Sequence, residues 1–387
     1  MIAEFFRRFA PGRKAASAAS TRFVAWQTVG RATWSPRDIA AFAREGYGRN
    51  AVAYRCVRLI AEAAASVAFK VAPFDHPLAA LLARPNPEQT GAELMEAFYG
   101  HLQVSGNAFL EVLSLGDDPP REIHGLRPDR MAVVPGVSGP AGWEHTCDGH
   151  VRRFMRDPLT DEAAILHLKL FHPADDFWGQ SPMEAAAAAI DIHNAGGAWN
   201  KALIDNAARP SGALVFVGDG GADRLSEDQF ARLKAEIENA HMGPSNAGRP
   251  MLLEGGLDWK PMSLTPADMD FTQARHSAAR EIALAFGVPP MLLGIPGDNT
   301  YATYKEANLA FWRLTALPLA LKTARALETW LGGRWRDRGV AAVRVDLDSV
   351  PALAAERETL WARLDGATFL DVAEKRRMAG LDHGEAT

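Results

Sequence analysis

Phe286–Pro318 reads FGVPPMLLGIPGDNTYATYKEANLAFWRLTALP, and its punctuation decides how the rest of the chain divides. Two helical patterns flank a short polar knot, GIPGDNTY, with Pro289-Pro290 ending the first pattern. Upstream, a helix is expected from Thr265 to Phe286, opened by Thr265-Pro266, a cap residue before proline at the first helical position. Its residues Phe271, Ala274, Ala278, Ile282 and Ala285 recur at spacings of three or four, with Arg275, Arg280 and Glu281 elsewhere on the circumference. Downstream, a longer pattern opens near Tyr304 and continues through Ala307, Phe311, Leu314, Leu321, Ala324, Leu327 and Leu331. Pro318 falls inside it, yet the stripe resumes in phase, which predicts a kink and not a stop. Gly332-Gly333 closes it.

Working backwards, SPMEAAAAAIDIHNAGGAWNKALIDNAA predicts another long helix from Ser181 to about Ala208, where Gly196-Gly197 should bend it or allow close packing. Between the two long helices, residues 209–263 read as a compact β-α-β insert: strand ALVFVG, helix Ser226–His241 and strand PMLLEGG. Residues 37–180 mix helices with short strands, an α+β body. Helices are expected at Ala51–Val67 and, from the capping pair Thr90 and Glu93, at Thr90–Val104; Ser35-Pro36 marks an earlier start. NAFLEVL, RMAVVPG, HVRRFMR and AILHLKL read as strands. After Gly333 come a strand, VAAVRVDL, and helices at Ala352–Leu364 and Leu370–Met378.

At 387 residues the chain exceeds what one core usually serves, so sub-domains are expected. A net charge of −5 argues against a protein that grips nucleic acid through a strongly basic surface. It leaves room for DNA that passes without being held. Two cysteines frame no disulfide scaffold, and Cys56, inside AVAYRCVRLI, reads as a small buried hydrophobe. The N-terminal run MIAEFFRRFAPGRKAASAAS is interrupted by Glu4 and arginines, so no signal peptide is read there; residues 1–36 are taken as a mobile or partner-binding arm. No apolar run reaches membrane-spanning length.

Chemistry is conspicuously thin. No G-x-G-x-x-G, P-loop, H-E-x-x-H or G-x-S-x-G is present, so neither a cofactor nor a metal is called for. HTCDGH gathers His145, Cys147, Asp148 and His150, but four zinc ligands usually come in two split pairs and no second pair matches; a surface turn between strands is the better reading. Asp175 and Asp176, with His172 nearby, would serve a metal-dependent hydrolase, but loop solvation and the following helix start explain them more simply. His167 and His172 read as packing and turn residues. Trp143, Trp178, Trp199, Trp259, Trp312, Trp330 and Trp361 lack interleaved basic residues, so they read as packing anchors, not base-stacking platforms.

Several segments in order do carry a resemblance: HPLAALLARPNPEQTGAELMEAFYGHLQVSGNAFLEV, ILHLKLFHPADDFWGQSPMEAA, MLLEGGLDWKPMSLTPADMDF, REIALAFGVPPMLLGIPGDNTYATYKEANLAFWRLTALPL and the closing FLDVAEKRRMAGL. From about residue 49 to 380 the chain resembles the HK97-type portal proteins of tailed bacteriophages. The resemblance implies a portal fold and a ring of twelve copies at one capsid vertex, made in the host cytoplasm, through which double-stranded DNA is packaged and later released. It implies a wing (37–180), stem helices (181–208 and 264–287), a clip (209–263), a tunnel loop (288–303), a kinked wing helix (304–333) and a C-terminal region (334–387) with a short crown or none. Asn299, Thr300, Tyr301, Thr303, Tyr304 and Lys305 would then face the DNA channel. Many relatives carry Asn after a Thr-Tyr-Ser/Ala run where this chain has Thr303. The clip, with Arg224, Glu227, Arg232, Glu236 and Arg249, would dock the terminase large subunit and later the head–tail connector, while the ring sits in the major capsid protein shell. The Ala- and Arg-rich composition also suits a phage-derived gene transfer agent. A non-portal adaptor ring is the structural alternative; it would not need two long helices enclosing a β-α-β insert.

Overall fold

Asn50 begins the first buried helix by accepting, through Oδ1, from the N–H groups of Val52 (3.1 Å) and Ala53 (3.0 Å). The helix it caps, α2 (Ala51–Ala65), buries Ala53, Cys56, Val57, Ile60, Ala61 and Ala64 on one stripe. Burial pushes the Cys56 thiol up to about 12, so it packs as an inert apolar group. The computed structural model describes residues 32–116, 118–137, 139–205, 212–216, 228, 231–232, 257–261, 271–296 and 301–380. The N-terminal unit ends at Ser35, and the described helices and strands belong to a second unit that begins at Pro36. The first of them, α1 (Ile39–Ala41), runs directly into a π-helical segment, Phe42–Tyr47. The start expected at Ser35-Pro36 falls instead at Asp38, whose Oδ1 accepts from Ala41 N at 2.7 Å.

Strand β1 (Phe69–Ala72) and helix α3 (Pro77–Ala83), neither evident as a sequence pattern, precede α4 (Gly91–Ser105). The α4 capping box closes as its sequence predicts, with Glu93 Oε2 accepting from Thr90 N (2.8 Å) and Thr90 Oγ1 from Glu93 N (3.3 Å). Helices α2 and α4 pack on each other, and α4 buries Leu94, Phe98, Tyr99 and Leu102, each such apolar side chain contributing about 1.5–3 kcal/mol. Against them lies an antiparallel sheet of β2 (Asn107–Leu113) between β3 (Glu122–Leu126) and β7 (Ile165–Lys169), in which Phe109 pairs with Leu126 on one side and His167 on the other. A second antiparallel sheet orders β4 (Met131–Pro135), β5 (Pro140–Cys147) and β6 (His150–Met155). The two meet through a small core of Phe109, Met131, Trp143 and Ile165.

The long helix expected from Ser181 is divided. Ser181 Oγ accepts from Glu184 N (3.2 Å) to start α5 (Pro182–Ala185), but Ala186 interrupts before α6 (Ala187–Asp205). Gly196-Gly197 lies inside α6 without breaking it. Helix α7 (Phe271–Ala285) packs along α6; its expected start at Thr265 lies outside the described residues. The buried face of α7 is Ala278, Ala279, Ile282 and Ala283, whereas Ala274, assigned to the stripe from spacing, is exposed. Strands β8 (Gly212–Phe216) and β9 (Leu257–Pro261) pair antiparallel, so the chain leaves and re-enters the insert side by side. The expected strand PMLLEGG and most of the helix Ser226–His241 lie outside the described residues.

Helix α8 (Tyr301–Phe311), a π segment (Trp312–Ala316) and α9 (Leu317–Leu331) make the long element containing Pro318. It ends before Gly332-Gly333, as expected. Strand β10 (Ala342–Val345) pairs with β1, returning the chain to its start, with Val71 opposite Val343. Helices α10 (Ala354–Gly366) and α11 (Val372–Ala379) follow. The main core draws on α2, α4, α7, α9 and the strands together. Trp143 and Trp335 are buried and Trp312 and Trp330 half-buried, consistent with anchoring, while Trp361 is exposed. Among the described residues no helix is long and apolar enough to cross a membrane.

Candidate functional site

The polar knot singled out in the sequence hangs between α7 and α8, and its first limb is fastened residue by residue. Helix α7 is terminated by Gly287, at φ +65°, before any proline is reached. Val288 N donates to Ala283 O (2.9 Å) and Gly287 N to Leu284 O (3.0 Å), the paired bonds of a Schellman motif, with Val288 buried beneath. Pro289-Pro290 therefore follows the stop and does not cause it. A 3-10 turn, Pro290–Leu293, ends at Gly294, φ +69°, where Gly294 N donates to Met291 O (3.3 Å) and Ile295 N to Pro290 O (3.2 Å). This reversal drives Ile295 into a small apolar cluster with Ala279 and Ala283 of α7. Two side chains add fixed points: Arg280 Nη2 donates to Pro296 O at 2.6 Å, and Thr315 Oγ1 donates to Gly287 O at 2.7 Å.

The predicted loop of residues 288–303 is thus shorter on both sides. Residues 290–293 form a helical turn, and α8 already begins at Tyr301. Tyr301, Thr303, Tyr304 and Lys305 stand in the opening turns of α8, not in a loop; Thr303, Tyr304 and Lys305 are exposed. Asn299 and Thr300 lie outside the described residues, as does Gly297. The sequence missed Arg280, Ile295 and Thr315, which carry no chemical motif. Two glycines spaced ahead of proline-rich turns, at 287 and 294, were the available signal.

Where a kink is expected at Pro318, the helix carries a π segment one turn earlier. Proline has no N–H to give the carbonyl of Leu314, and the bonding pattern widens to compensate: Leu317 N donates to Trp312 O, five residues back. Arg313, projecting from this π segment, pairs with Glu356 of α10, a bond that holds its guanidinium pKa above the ordinary value.

Of the insert residues, Arg232 is exposed in helical backbone; Arg224, Glu227, Glu236 and Arg249 lie outside the described residues. The other candidate chemistry resolves into local structure. Asp148 and Gly149, at φ 50° and 80°, make the tight turn joining β5 to β6, so HTCDGH is a hairpin. Among the described residues no group of three His, Cys, Asp or Glu side chains stands together to hold a metal. Asp175 Oδ1 accepts from Phe177 N (2.7 Å) and Trp178 N (2.9 Å), and these bonds lower its carboxyl pKa. His172 Nδ1 accepts from Ala174 N (3.1 Å), while Lys169 Nζ donates to the Asp176 carbonyl. Each serves its own turn. His167 is half-buried, stacked on Phe109 at 4.1 Å, and desolvation drives its pKa down to about 3.

The family model described as "Phage portal protein" matches residues 51–380. A chain in the neck of a native gene transfer agent (GTA) particle, computed with C12 symmetry, is 52% identical, with a TM-score of 0.68, covering 91% of this chain and 96% of that one. An uncharacterized protein of Rickettsia bellii is 41% identical over 344 residues, 87% of this chain and 88% of its own. The portal protein of Enterobacteria phage HK97 is 26% identical over 295 residues, 72% of this chain and 66% of its own.

Proposed function

The chain belongs to the phage portal protein family, and on that premise we propose that twelve copies form the channel at one vertex of a phage-like particle of the gene-transfer-agent kind. Double-stranded DNA enters through this ring during packaging and leaves through it later. The observation that carries the reading is the likeness, over nearly the whole chain, to a subunit of a twelve-fold symmetric particle neck. Such a ring closes by one heterologous contact repeated around an axis.

In this reading α6 and α7 are the stem, and the chain between the paired strands β8 and β9 is the clip. Residues 37–180 are the wing, which faces the capsid shell. The π-broken element from Tyr301 to Leu331 crosses the wing, and the segment between α7 and α8 is the tunnel loop. The clip's charged side chains Arg224, Glu227, Arg232, Glu236 and Arg249 meet the packaging terminase and then the head–tail connector.

The channel works as a conduit and not as a catalyst, and its electrostatics suit that task. Phosphate affinity comes largely from Lys and Arg, so subunits of net charge −5 hold DNA weakly and allow it to slide. Asn299, Thr300, Tyr301, Thr303 and Tyr304 supply short, sequence-blind hydrogen bonds to the backbone, and Lys305 one charge contact. Replacing Asn299, Tyr301 and Lys305 with alanine is expected to lower the yield of DNA-filled particles while purified rings keep their symmetry in electron micrographs. Normal DNA content in the triple variant would remove the loop from the mechanism. A purified chain that forms no closed ring would remove the portal reading itself.

A further inference from the structure

The segment between α7 and α8 reads in sequence as a loop of residues 288–303. The structure instead gives it a stalk. Four independent contacts hold Gly287–Pro296 against the protein: the Schellman bonds at Gly287, the Thr315 Oγ1 bond to Gly287 O, the burial of Ile295 between Ala279 and Ala283, and the Arg280 bond to Pro296 O. The last two act at the far end of the stalk, where the chain turns toward residue 297. Both come from one helix: Ala279, Arg280 and Ala283 lie within a single turn of α7.

We propose that Arg280 and Ile295 are positioning residues for the channel loop, fixing Pro296 to α7 and so setting the point from which the chain leaves the stalk. The inference rests on the reading of this segment as the tunnel loop. Without the two fasteners the limb from Pro289 to Pro296 would no longer be held against α7. Arg280 thus acts by its bond to a backbone carbonyl, at a distance from the phosphates that Lys305 would touch.

The test uses assembled rings of the full chain carrying Arg280→Ala, Ile295→Ala, and the conservative Arg280→Lys and Ile295→Val. Amide hydrogen exchange over residues 289–305 should accelerate about tenfold or more in the two alanine variants, with α2 and α4 unchanged, and return toward the parent in the Lys and Val variants. Unchanged exchange in both alanine variants, or equal acceleration throughout the chain, overturns the proposal. Nuclease-protected DNA per particle gives the second arm. Faster exchange with reduced DNA supports both the anchor and the channel role. Faster exchange with full DNA leaves the anchor standing and overturns the positioning of DNA, and with it the channel reading of the loop.

Discussion

Asn107 shows how a single side chain can fasten two distant parts of the chain. Its Oδ1 accepts from Gly179 N (2.8 Å) and His167 Nε2 (3.0 Å), while Nδ2 donates to Ser105 O (2.8 Å) and Gly179 O (3.2 Å). The acceptor at Nε2 fixes the proton there, leaving Nδ1 to accept from Trp143 Nε1 at 3.4 Å. Asn107→Ala would strand the buried Gly179 N–H and the half-buried His167 Nε2–H, so it should cost about 2–3 kcal/mol, read as a lowered denaturant midpoint of the unassembled subunit. His167 adds a pH dependence with a definite sign. Its folded pKa, about 3, lies below the ordinary 6.5, so the unfolded chain binds the proton first as pH falls. Stability is full above pH 6.5 and declines toward pH 3, and half-buried His101 and His193, also lowered by desolvation, add to the same slope. His167→Gln should flatten that acid limb, measured by urea unfolding across the range. The sequence exposed the strand NAFLEVL but not this role for Asn107, because the partner loop lies 72 residues away.

Elements were legible wherever a local cap or period carried them, as at α2, α4 and the hairpin turn, and illegible where a neighbour decided. The adjacent glycines of α6 separate the two cases. A Cβ on Gly196 would lie 2.9 Å from Arg275 Cγ of α7, whereas one on Gly197 would meet nothing within 4 Å. Gly196 is therefore a contact between helices, one of the alternatives its sequence allows, and Gly197 is a helix residue without a packing duty. Gly197→Ala should stabilise the subunit by about 0.5–1 kcal/mol, and Gly196→Ala should destabilise it by forcing α6 and Arg275 apart. Opposite shifts in the unfolding midpoint are the expected result; equal shifts would mean the helices do not meet there. The π segment before Pro318 teaches the same lesson. Proline predicts lost bonding at the preceding turn, but the contacts made by the π segment, Thr315 to Gly287 and Arg313 to Glu356, reach residues far away in the sequence.

At the scale of the whole molecule, the helix–insert–helix pattern suggests an order of parts, but not which surfaces remain incomplete in one copy. Apolar residues left in water are the physical marker of such surfaces. Leu284 on α7 is 79% exposed and Leu314 on the π segment 78%. The Thr315–Gly287 bond brings the end of α7 beside that segment, so the two leucines belong to one region next to the stalk of the loop. Leu284 already falls off the apolar stripe of its helix by spacing, whereas Leu314 fits its stripe and yet stands exposed on the π segment. In a ring built from one repeated heterologous contact, each such patch must be covered by a different face of the next copy. Leu284→Glu with Leu314→Glu is therefore expected to leave the subunit's circular dichroism unchanged while mass photometry shows a shift from closed rings to monomers and short arcs. Intact rings in that double variant would place the subunit contact elsewhere on the chain.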